Sequence, residues 1–243
     1  MRIIITSPPK MGNKWLKCLL GTIYGLDWLL GDKTPETNAS QFEQWIAEGN
    51  FVDGAIFHQH CRFTPKLCDV IDAVPAHGVT IVRDPYDTFV SLFYWLQTRA
   101  EFDEVRGKVR PRHRPKDQLI GKQIGDPEVL EFLATNFGEY IRRAEGWMNC
   151  GRVAVTRYEN LHADPVAELT RVTDAIQPVD RATIENAIEA CTADKMRSMS
   201  KKMATHIRTA KVGDSKERLS EAHYAIFREQ YGDVIRALGY EVR

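Results

Sequence analysis

The N-terminal segment Met1–Leu20 constrains the fold of this chain more than any other part of the sequence. The run Ile3–Ile5 is short and β-branched, and Ser7-Pro8-Pro9 ends it at once, which is typical of a buried strand. From Asn13 onwards apolar residues recur at helical spacing, and Asn13 is a suitable N-cap. A buried strand, a tight loop and a helix in this order predict an α/β fold.

The same alternation continues along the chain. We predict further strands at Gly54–His60, Gly78–Arg83 and Arg152–Thr156, each separated from the next by helical patterns. Such an order predicts a three-layer α/β/α fold with a central parallel sheet, similar to the P-loop nucleotide-binding folds. No repeat or linker interrupts the pattern, so we expect a single domain over residues 1–243. The polar segment Arg99–Asp126 is predicted to be a mobile loop within it.

Composition and charge exclude several classes of function. The 243 residues are 43% hydrophobic and 27% charged, which is an ordinary globular balance, and the formal net charge is zero. A protein of zero net charge does not bind polyanions through its bulk charge. The basic stretch Arg106–Lys116 has no interleaved aromatic residues, so we expect no nucleic-acid partner. No run approaches the roughly 18 apolar residues of a membrane span, and no signal peptide is visible, so we expect a cytoplasmic protein.

The cysteines predict neither a disulfide framework nor a metal centre. Five cysteines are scattered through the chain, and no two of them form a CxxC pair. Cys61 and Cys68, with His58 and His60, are the best candidates for zinc ligands. Their spacing lacks the close pairs of a structural zinc site, so we predict no metal.

The loop Ser7–Trp15 has the chemistry of an anion site. A loop between a buried strand and a helix N-terminus directs free backbone N–H groups at one point, where the helix dipole favours negative charge. Gly12 permits close approach of the backbone, and Lys10 and Lys14 add positive charge. The Walker A pattern is absent, because the stretch reads Gly-Asn-Lys-Trp rather than Gly-Lys-Ser/Thr.

This loop resembles the 5′-phosphosulfate-binding loop of the sulfotransferases that use 3′-phosphoadenosine 5′-phosphosulfate (PAPS). The family pattern is close to P-K-x-G-[TN]-[TS]-W, and Lys10, Gly12, Asn13 and Trp15 match it. Met11 replaces a common serine. Lys14 replaces a hydroxyl residue that usually touches the phosphate, so an ammonium group would serve in its place. The resemblance implies that the whole loop, including Met11 and Lys14, binds the cofactor.

Two further segments resemble the same family. Arg83-Asp84-Pro85-Tyr86-Asp87 with Ser91 matches each fixed position of the 3′-phosphate motif R-[ND]-P-x-D-x-x-x-S. An arginine fork and a hydroxyl converging on one phosphate are sound chemistry, although Arg83 paired with Asp87 in a structural bridge is the simpler alternative. After the fourth strand, Tyr158-Glu159-Asn160-Leu161 resembles the family's Y-E-[DN]-L segment. The resemblance places Tyr158 at the adenine with Trp15 as its stacking companion, whereas a core tyrosine is the alternative.

The fourth segment is Arg208–Lys216, which resembles the family's R-K-G-x-x-G-D-[WH]-K stretch that closes over the 3′-phosphate. Arg208, Gly213 and Asp214 match, as does Lys216. Thr209 and Ala210 depart from the pattern, and alanine in place of glycine suggests a less intimate backbone approach. The resemblance assigns Arg208, Thr209 and Ala210 to cofactor binding, and a solvated basic loop is the alternative.

The general base is predicted from a strand end. Relatives carry a catalytic histidine in a K-[TS]-H-x-P segment after a strand, and aligning strand ends places His60 on it. A histidine is well matched to remove the proton of an acceptor hydroxyl at neutral pH. His58 alternates with His60 and shares its face, so it is the second candidate. Neither histidine acting is the remaining alternative.

Together the four ordered segments resemble a PAPS-dependent sulfotransferase with the sulfotransferase fold. The resemblance implies transfer of a sulfuryl group from PAPS to an acceptor hydroxyl or amine, with adenosine 3′,5′-bisphosphate (PAP) as the second product. Lys10 and His60 would be catalytic. The acceptor is a small molecule, a carbohydrate or a lipid, and a homodimer is left open. A P-loop kinase and a non-catalytic nucleotide-binding module are the competing functions.

Overall fold

The computed structural model describes residues 1–29, 39–105, 107 and 114–243. Two compact units make up the chain. The first consists of Met1–Arg83 and Arg143–Thr192, and the second of Asp84–Arg142 and Ala193–Arg243. The single domain over residues 1–243 stays a prediction.

The first unit contains a five-stranded sheet of parallel strands. The strands are β1 Arg2–Ile5, β2 Asp27–Trp28, β3 Ala55–His58, β4 Ala76–Val82 and β5 Ala154–Arg157. Their order is β2-β3-β1-β4-β5, so the first strand lies at the centre. Its register sets Ile5 opposite both His58 and Val79. The predicted parallel sheet is therefore confirmed, and β2 is an additional short edge strand.

Twelve α-helices are found in the described part of the chain. They are α1 Asn13–Tyr24, α2 Ala39–Ala47, α3 Pro65–Ala73, α4 Pro85–Val105, α5 Pro127–Thr135, α6 Gly138–Met148, α7 Tyr158–Ala163, α8 Pro165–Asp174, α9 Arg181–Ala190, α10 Ala193–Ser198, α11 Lys201–His206 and α12 Glu221–Ala237. Within the same described residues there are also two 3₁₀ turns, Pro115–Leu119 and Asp214–Glu217. Among the residues described, no helix is long and apolar enough to cross a membrane.

Helices flank the sheet of the first unit and close its core. α1 contacts β3 and α9, α3 contacts β4, and α8 contacts β5. One buried aromatic cluster joins α2 and β3 to α6 through Phe42, Trp45, Phe51, Phe57 and Trp147. In the second unit, a separate group of aromatic residues packs α4 against α12, with Tyr86 and Phe89 on Phe227.

Helix α4 is longer than the sequence indicated. The predicted loop Arg99–Asp126 begins seven residues late, because α4 continues to Val105. The ion pair between Arg99 and Asp103, four residues apart, measures 3.6 Å and supports the extra turns. Of the remaining loop, residues 106 and 108–113 lie outside the described residues.

One pair of cysteines departs from the expectation of scattered thiols. Cys18 in α1 and Cys191 after α9 form a disulfide that spans 173 residues of sequence. Both side chains are buried. Because α1 and α9 are brought together by tertiary packing, no local spacing reveals the pair.

Candidate active site

The predicted site residues of the first unit share one edge of the sheet. The loop with Lys10 follows β1, His60 follows β3, Arg83 follows β4, and Tyr158 follows β5. All these strands are parallel, so their carboxyl ends lie at the same edge. The chain order of neighbouring strands reverses about β1, where open α/β sheets bind their ligands.

The loop after β1 turns sharply into α1. Lys10 and Gly12 both have positive φ, 71° and 106°. Gly12 rather than Asn13 is the N-cap, so the predicted cap is corrected by one residue. The left-handed backbone that glycine adopts easily makes this possible. The Gly12 carbonyl accepts the N–H groups of Trp15 at 3.0 Å and Leu16 at 3.1 Å.

The start of α1 fits an anionic group. The first N–H groups of an α-helix have no intrahelical partner, so the start of a helix favours a negatively charged ligand. No acidic residue lies in the first turn. Asn13 donates its side-chain amide to the Pro8 carbonyl at 2.7 Å, while its buried Oδ1 has no hydrogen-bond partner among the described residues. The loop thus has positive charge, N–H donors and one spare acceptor for a polar ligand.

Gly12 lies against the ring of Tyr158. A Cβ atom at Gly12 would stand 2.8 Å from the Tyr158 ring, so any other residue would displace the tyrosine. Tyr158 is nearly fully buried, and the Arg83 guanidinium lies over its ring at 4.3 Å. Arg83 also donates to the Lys10 carbonyl at 3.4 Å. Three of the predicted cofactor segments therefore meet at one place.

Trp15 and Tyr158 are neighbours, as the resemblance implied, but they are not parallel. Their ring centroids are 5.7 Å apart and the planes cross at 71°. His162 lies one turn further along α7, and its ring centroid is 6.4 Å from that of Trp15 and 6.1 Å from that of Tyr158. His162 is not among the site residues predicted from the sequence. Its position on the same helix face as Tyr158, four residues on, is the signal that was available.

His60 is oriented by Ser7, the first residue of the loop that follows β1. Its Nδ1 lies 2.7 Å from the Ser7 carbonyl. A carbonyl only accepts, so Nδ1 carries the proton and the neutral ring keeps its lone pair on Nε2. Ser7 is itself fixed, because its Oγ accepts the Ile81 N–H at 2.6 Å and bonds Thr80 Oγ1 at 3.1 Å. This is the tautomer that a general base acting through Nε2 requires.

His58 is the last residue of β3, and its ring is 5.4 Å from that of His60. Both rings are half-buried. The two histidines therefore lie together at the strand end, as their alternation predicted. The bond from Nδ1 to the Ser7 carbonyl fixes the orientation of the His60 ring.

In the second unit, Asp87 fixes the Arg208–Lys216 segment. The buried Asp87 carboxylate accepts the N–H of Gly213 at 2.7 Å and that of Ser215 at 2.9 Å. Arg208 forms an ion pair with buried Asp214 and lies over the Tyr94 ring at 4.7 Å. Asp87, which lies four residues after Arg83 in the same motif, thus fixes the backbone of the Arg208–Lys216 segment.

Other predicted residues of the second unit are placed as follows. Ser91 is half-buried in α4, and Thr209 is half-buried between α11 and the last 3₁₀ turn. Ala210 has a φ of 52°, in the left-handed region that the glycine of the family pattern would enter without strain. Lys10 and Ala210 are the non-glycine residues with positive φ in the described part of the chain. Both belong to segments predicted to bind the cofactor.

No group of three or more histidine, cysteine or acidic side chains within the described residues is arranged to hold a metal ion. Burial raises the pKa of the Cys61 thiol to about 12 and that of Cys68 to about 11. Both thiols are therefore protonated at neutral pH.

The sequence profile of the sulfotransferase domain family matches residues 1–239. A search of curated protein sequences found no match. The mouse sulfotransferase SULT7A1, solved with PAP, is similar with a TM-score of 0.69 and 18% identity, over 97% of this chain and 84% of that one.

Two further solved structures share the fold. A retinol dehydratase, in complex with androsterone and inactive cofactor PAP, has a TM-score of 0.61 at 14% identity, over 100% of this chain and 83% of that chain. An Arabidopsis thaliana putative steroid sulphotransferase has a TM-score of 0.55 at 14% identity, and the match covers 100% of this chain and 78% of that chain. The family match includes all four motif segments, so the predicted family and reaction class are confirmed: the chain belongs to the sulfotransferase domain family and is an enzyme of sulfuryl transfer.

Proposed function

We propose that the chain transfers a sulfuryl group from PAPS to an acceptor hydroxyl or amine through the loop Lys10–Lys14 and the base His60. The observation that carries this assignment is the bond between His60 Nδ1 and the Ser7 carbonyl. It joins the candidate base to the residue that opens the anion loop. A base and an anion cradle attached to one strand end are what a direct transfer between two bound substrates requires.

The donor would be held by residues with matching chemistry. The 5′-phosphosulfate would take the N–H groups at the start of α1 together with the ammonium groups of Lys10 and Lys14. Trp15 and Tyr158 offer aromatic surface for the adenine. By the family motifs, the 3′-phosphate is assigned to Arg83, Ser91 and Arg208, together with Thr209 and Ala210 of the last segment. These roles follow from the family motifs and from the charge of each side chain.

The chemical step is an in-line displacement at sulfur. The acceptor oxygen or nitrogen forms a bond to sulfur as its proton passes to His60 Nε2. The bond from sulfur to the bridging phosphate oxygen breaks, and its electron pair leaves with PAP. Lys10 stabilises the negative charge that develops on that oxygen. The lysines and the helix N-terminus supply the positive field, in the way that positioning and electrostatics carry phosphoryl transfer.

The acceptor is proposed to be a small molecule with a hydroxyl group. This proposal is supported by the similar structure of retinol dehydratase, which is in complex with androsterone and PAP or with retinol and PAP. Carbohydrate and lipid acceptors, the cytoplasmic location and a homodimer stay predictions from the sequence.

A two-part experiment tests the proposal. Thermal-shift measurements with PAP, with ATP plus magnesium, and without ligand should give the largest stabilisation with PAP, because only PAP carries both phosphates that the motifs address. Incubation with ³⁵S-labelled PAPS and a panel of phenols, sterols, sugars and lipids should then yield a labelled product. Stabilisation by ATP alone would favour a kinase. Stabilisation by PAP without transfer to any acceptor would favour a binding module.

A further inference from the structure

Helix α6 holds the backbone on either side of the candidate base. Arg143 donates through Nη1 to the His60 carbonyl at 3.0 Å. Trp147, one helical turn later, donates through Nε1 to the Cys61 carbonyl at 2.9 Å. Residues four apart lie on one helix face, so the two side chains reach consecutive carbonyls of the His60 segment. Arg143 and His60 are separated by 83 positions in the sequence, and Trp147 and Cys61 by 86 positions.

Arg143 and Trp147 differ in their burial and in their other contacts. Trp147 is fully buried in the aromatic core, and it packs edge-on against Phe63 at 5.6 Å. Arg143 is half-buried and is absent from that core. Trp147 therefore supports the fold, while the bond from Arg143 ends on the peptide of the base itself.

The His60 backbone is held from two sides. Toward the sheet, the Gln59 N–H donates to the Ile5 carbonyl at 2.8 Å and continues the β1–β3 ladder. On the far side, the bond from Arg143 fixes the peptide that follows His60. Because the ring position depends on this backbone, the 2.7 Å bond from Nδ1 to Ser7 needs both anchors.

We infer that Arg143 is a positioning residue, which holds His60 in the Nδ1-protonated tautomer with Nε2 directed away from Ser7. This inference rests on the proposed role of His60 as the base. A charged donor makes a shorter and stronger hydrogen bond to a carbonyl than a neutral donor does. Methionine at this position would keep the aliphatic stem and lose the bond. Lysine would keep the charge and one donor.

The tautomer of His60 is measured directly by long-range ¹⁵N NMR on histidine-labelled protein. The wild type should show Nδ1 of His60 protonated and its proton protected from solvent exchange. Arg143→Met should add the Nε2-protonated form and speed exchange of the Nδ1 proton at least about fivefold, because local opening exposes it. Arg143→Lys should restore part of the protection. Arg142→Met, which removes the exposed neighbouring guanidinium of the same helix, should change neither signal.

His223 provides an internal reference for these spectra. Its Nδ1 accepts the Ser220 N–H at 3.1 Å and its Nε2 lies 2.9 Å from the Ile124 carbonyl, so it has the opposite tautomer. A general loss of structure would change His223 as well, whereas the inferred role leaves it unaltered. An unchanged tautomer and exchange rate for His60 in Arg143→Met would overturn the inference.

Kinetics with an acceptor from the panel separates this inference from the proposed function. Arg143→Met should lower kcat about 10- to 100-fold with little change in the KM for PAPS, since it displaces a reacting group and no binding group. In a His60→Ala background the same change should have no further effect. Equal losses in both backgrounds would overturn the positioning role. Full turnover by His60→Ala alone would instead overturn the proposed base.

Discussion

The Asp87 carboxylate accepts the backbone N–H of Gly213 at 2.7 Å, across 126 residues of sequence. Its other oxygen accepts the N–H of Ser215 at 2.9 Å. The motif that contains Asp87 and the segment that contains Arg208 are thus coupled by one buried side chain. The motif with Asp87 therefore acts on the segment with Arg208 through the Asp87 carboxylate.

The exchange Asp87→Asn should loosen that segment. An amide has one oxygen, so one of the two buried N–H groups would lose its acceptor, at a cost of about 1–3 kcal/mol. We expect the dissociation constant for PAP to rise about tenfold, and that for 5′-AMP, which lacks the 3′-phosphate, to change little. Isothermal titration with both nucleotides measures the difference.

A matched control for that exchange lies on the same helix. Asp103 is also buried in α4 but pairs with Arg99, so Asp103→Asn should leave PAP affinity near the wild-type value. If Asp87→Asn kept full PAP affinity, the coupling between the two segments would have no part in binding.

Gly12→Ala tests the contact between the loop and Tyr158. The added methyl group would stand 2.8 Å from the Tyr158 ring, in a backbone with φ of 106°. We expect a loss of about 3 kcal/mol in the free energy of unfolding, from strain and overpacking together. Gly25→Ala at the other end of α1 meets open space at φ of 62°, so strain of about 1 kcal/mol should be its whole effect. Urea unfolding measures the free energy of unfolding of both variants, and equal losses of stability would argue against the contact between Gly12 and Tyr158.

Ala210→Gly should stabilise the protein. Alanine at φ of 52° is strained by roughly 1–2 kcal/mol, and glycine would remove this strain at a smaller entropic cost. A net gain of about 0.5 kcal/mol is expected. The opposite sign is expected for Ala204→Gly in the exposed face of α11, where glycine weakens a helix. Calorimetric melting of the pair checks the contrast, and destabilisation by Ala210→Gly would show that the left-handed backbone is not kept in solution.

Lys17 should make stability depend on pH. Burial lowers the pKa of this ammonium group to about 8, although its Nζ donates to the Leu29 carbonyl at 3.0 Å. The unfolded chain keeps the ordinary pKa of about 10.4, so between pH 8 and 10 the folded state binds fewer protons and stability rises with pH. Lys17→Met should remove this rise and should be the more stable protein at pH 7. Denaturant unfolding at pH 7, 8.5 and 10 measures both effects, and parallel pH curves for the two proteins would contradict the burial argument.

The sheet could largely be read from the sequence because its signals are local. The β-branched runs that became β1 and β4 end in prolines or charges a few residues later, and such punctuation is visible in one dimension. The two-residue strand β2 is too short to have a pattern. The N-cap of α1 is Gly12 and not the predicted Asn13, because Gly12 has a left-handed backbone conformation. The candidate site residues follow the same strands, so their common edge was predictable once the sheet was parallel.

The supports of that site were not predictable from patterns. Asp87 reaches Gly213 and Arg143 reaches His60 through tertiary packing, with no periodicity that relates their positions. The disulfide between Cys18 and Cys191 has the same origin. Sequence patterns identify groups that carry chemistry at strand ends, whereas the groups that hold them come from distant helices.

The most direct test of the proposed mechanism is the turnover of His60→Ala, measured beside His58→Ala and beside the affinity of each variant for PAP. We expect His60→Ala to lose about 10²- to 10⁴-fold in kcat, because the acceptor proton has no base to receive it. Its dissociation constant for PAP should stay within about threefold of the wild type, and His58→Ala should retain most of its turnover. Wild-type turnover in His60→Ala, or loss of PAP binding with turnover preserved, would contradict the account.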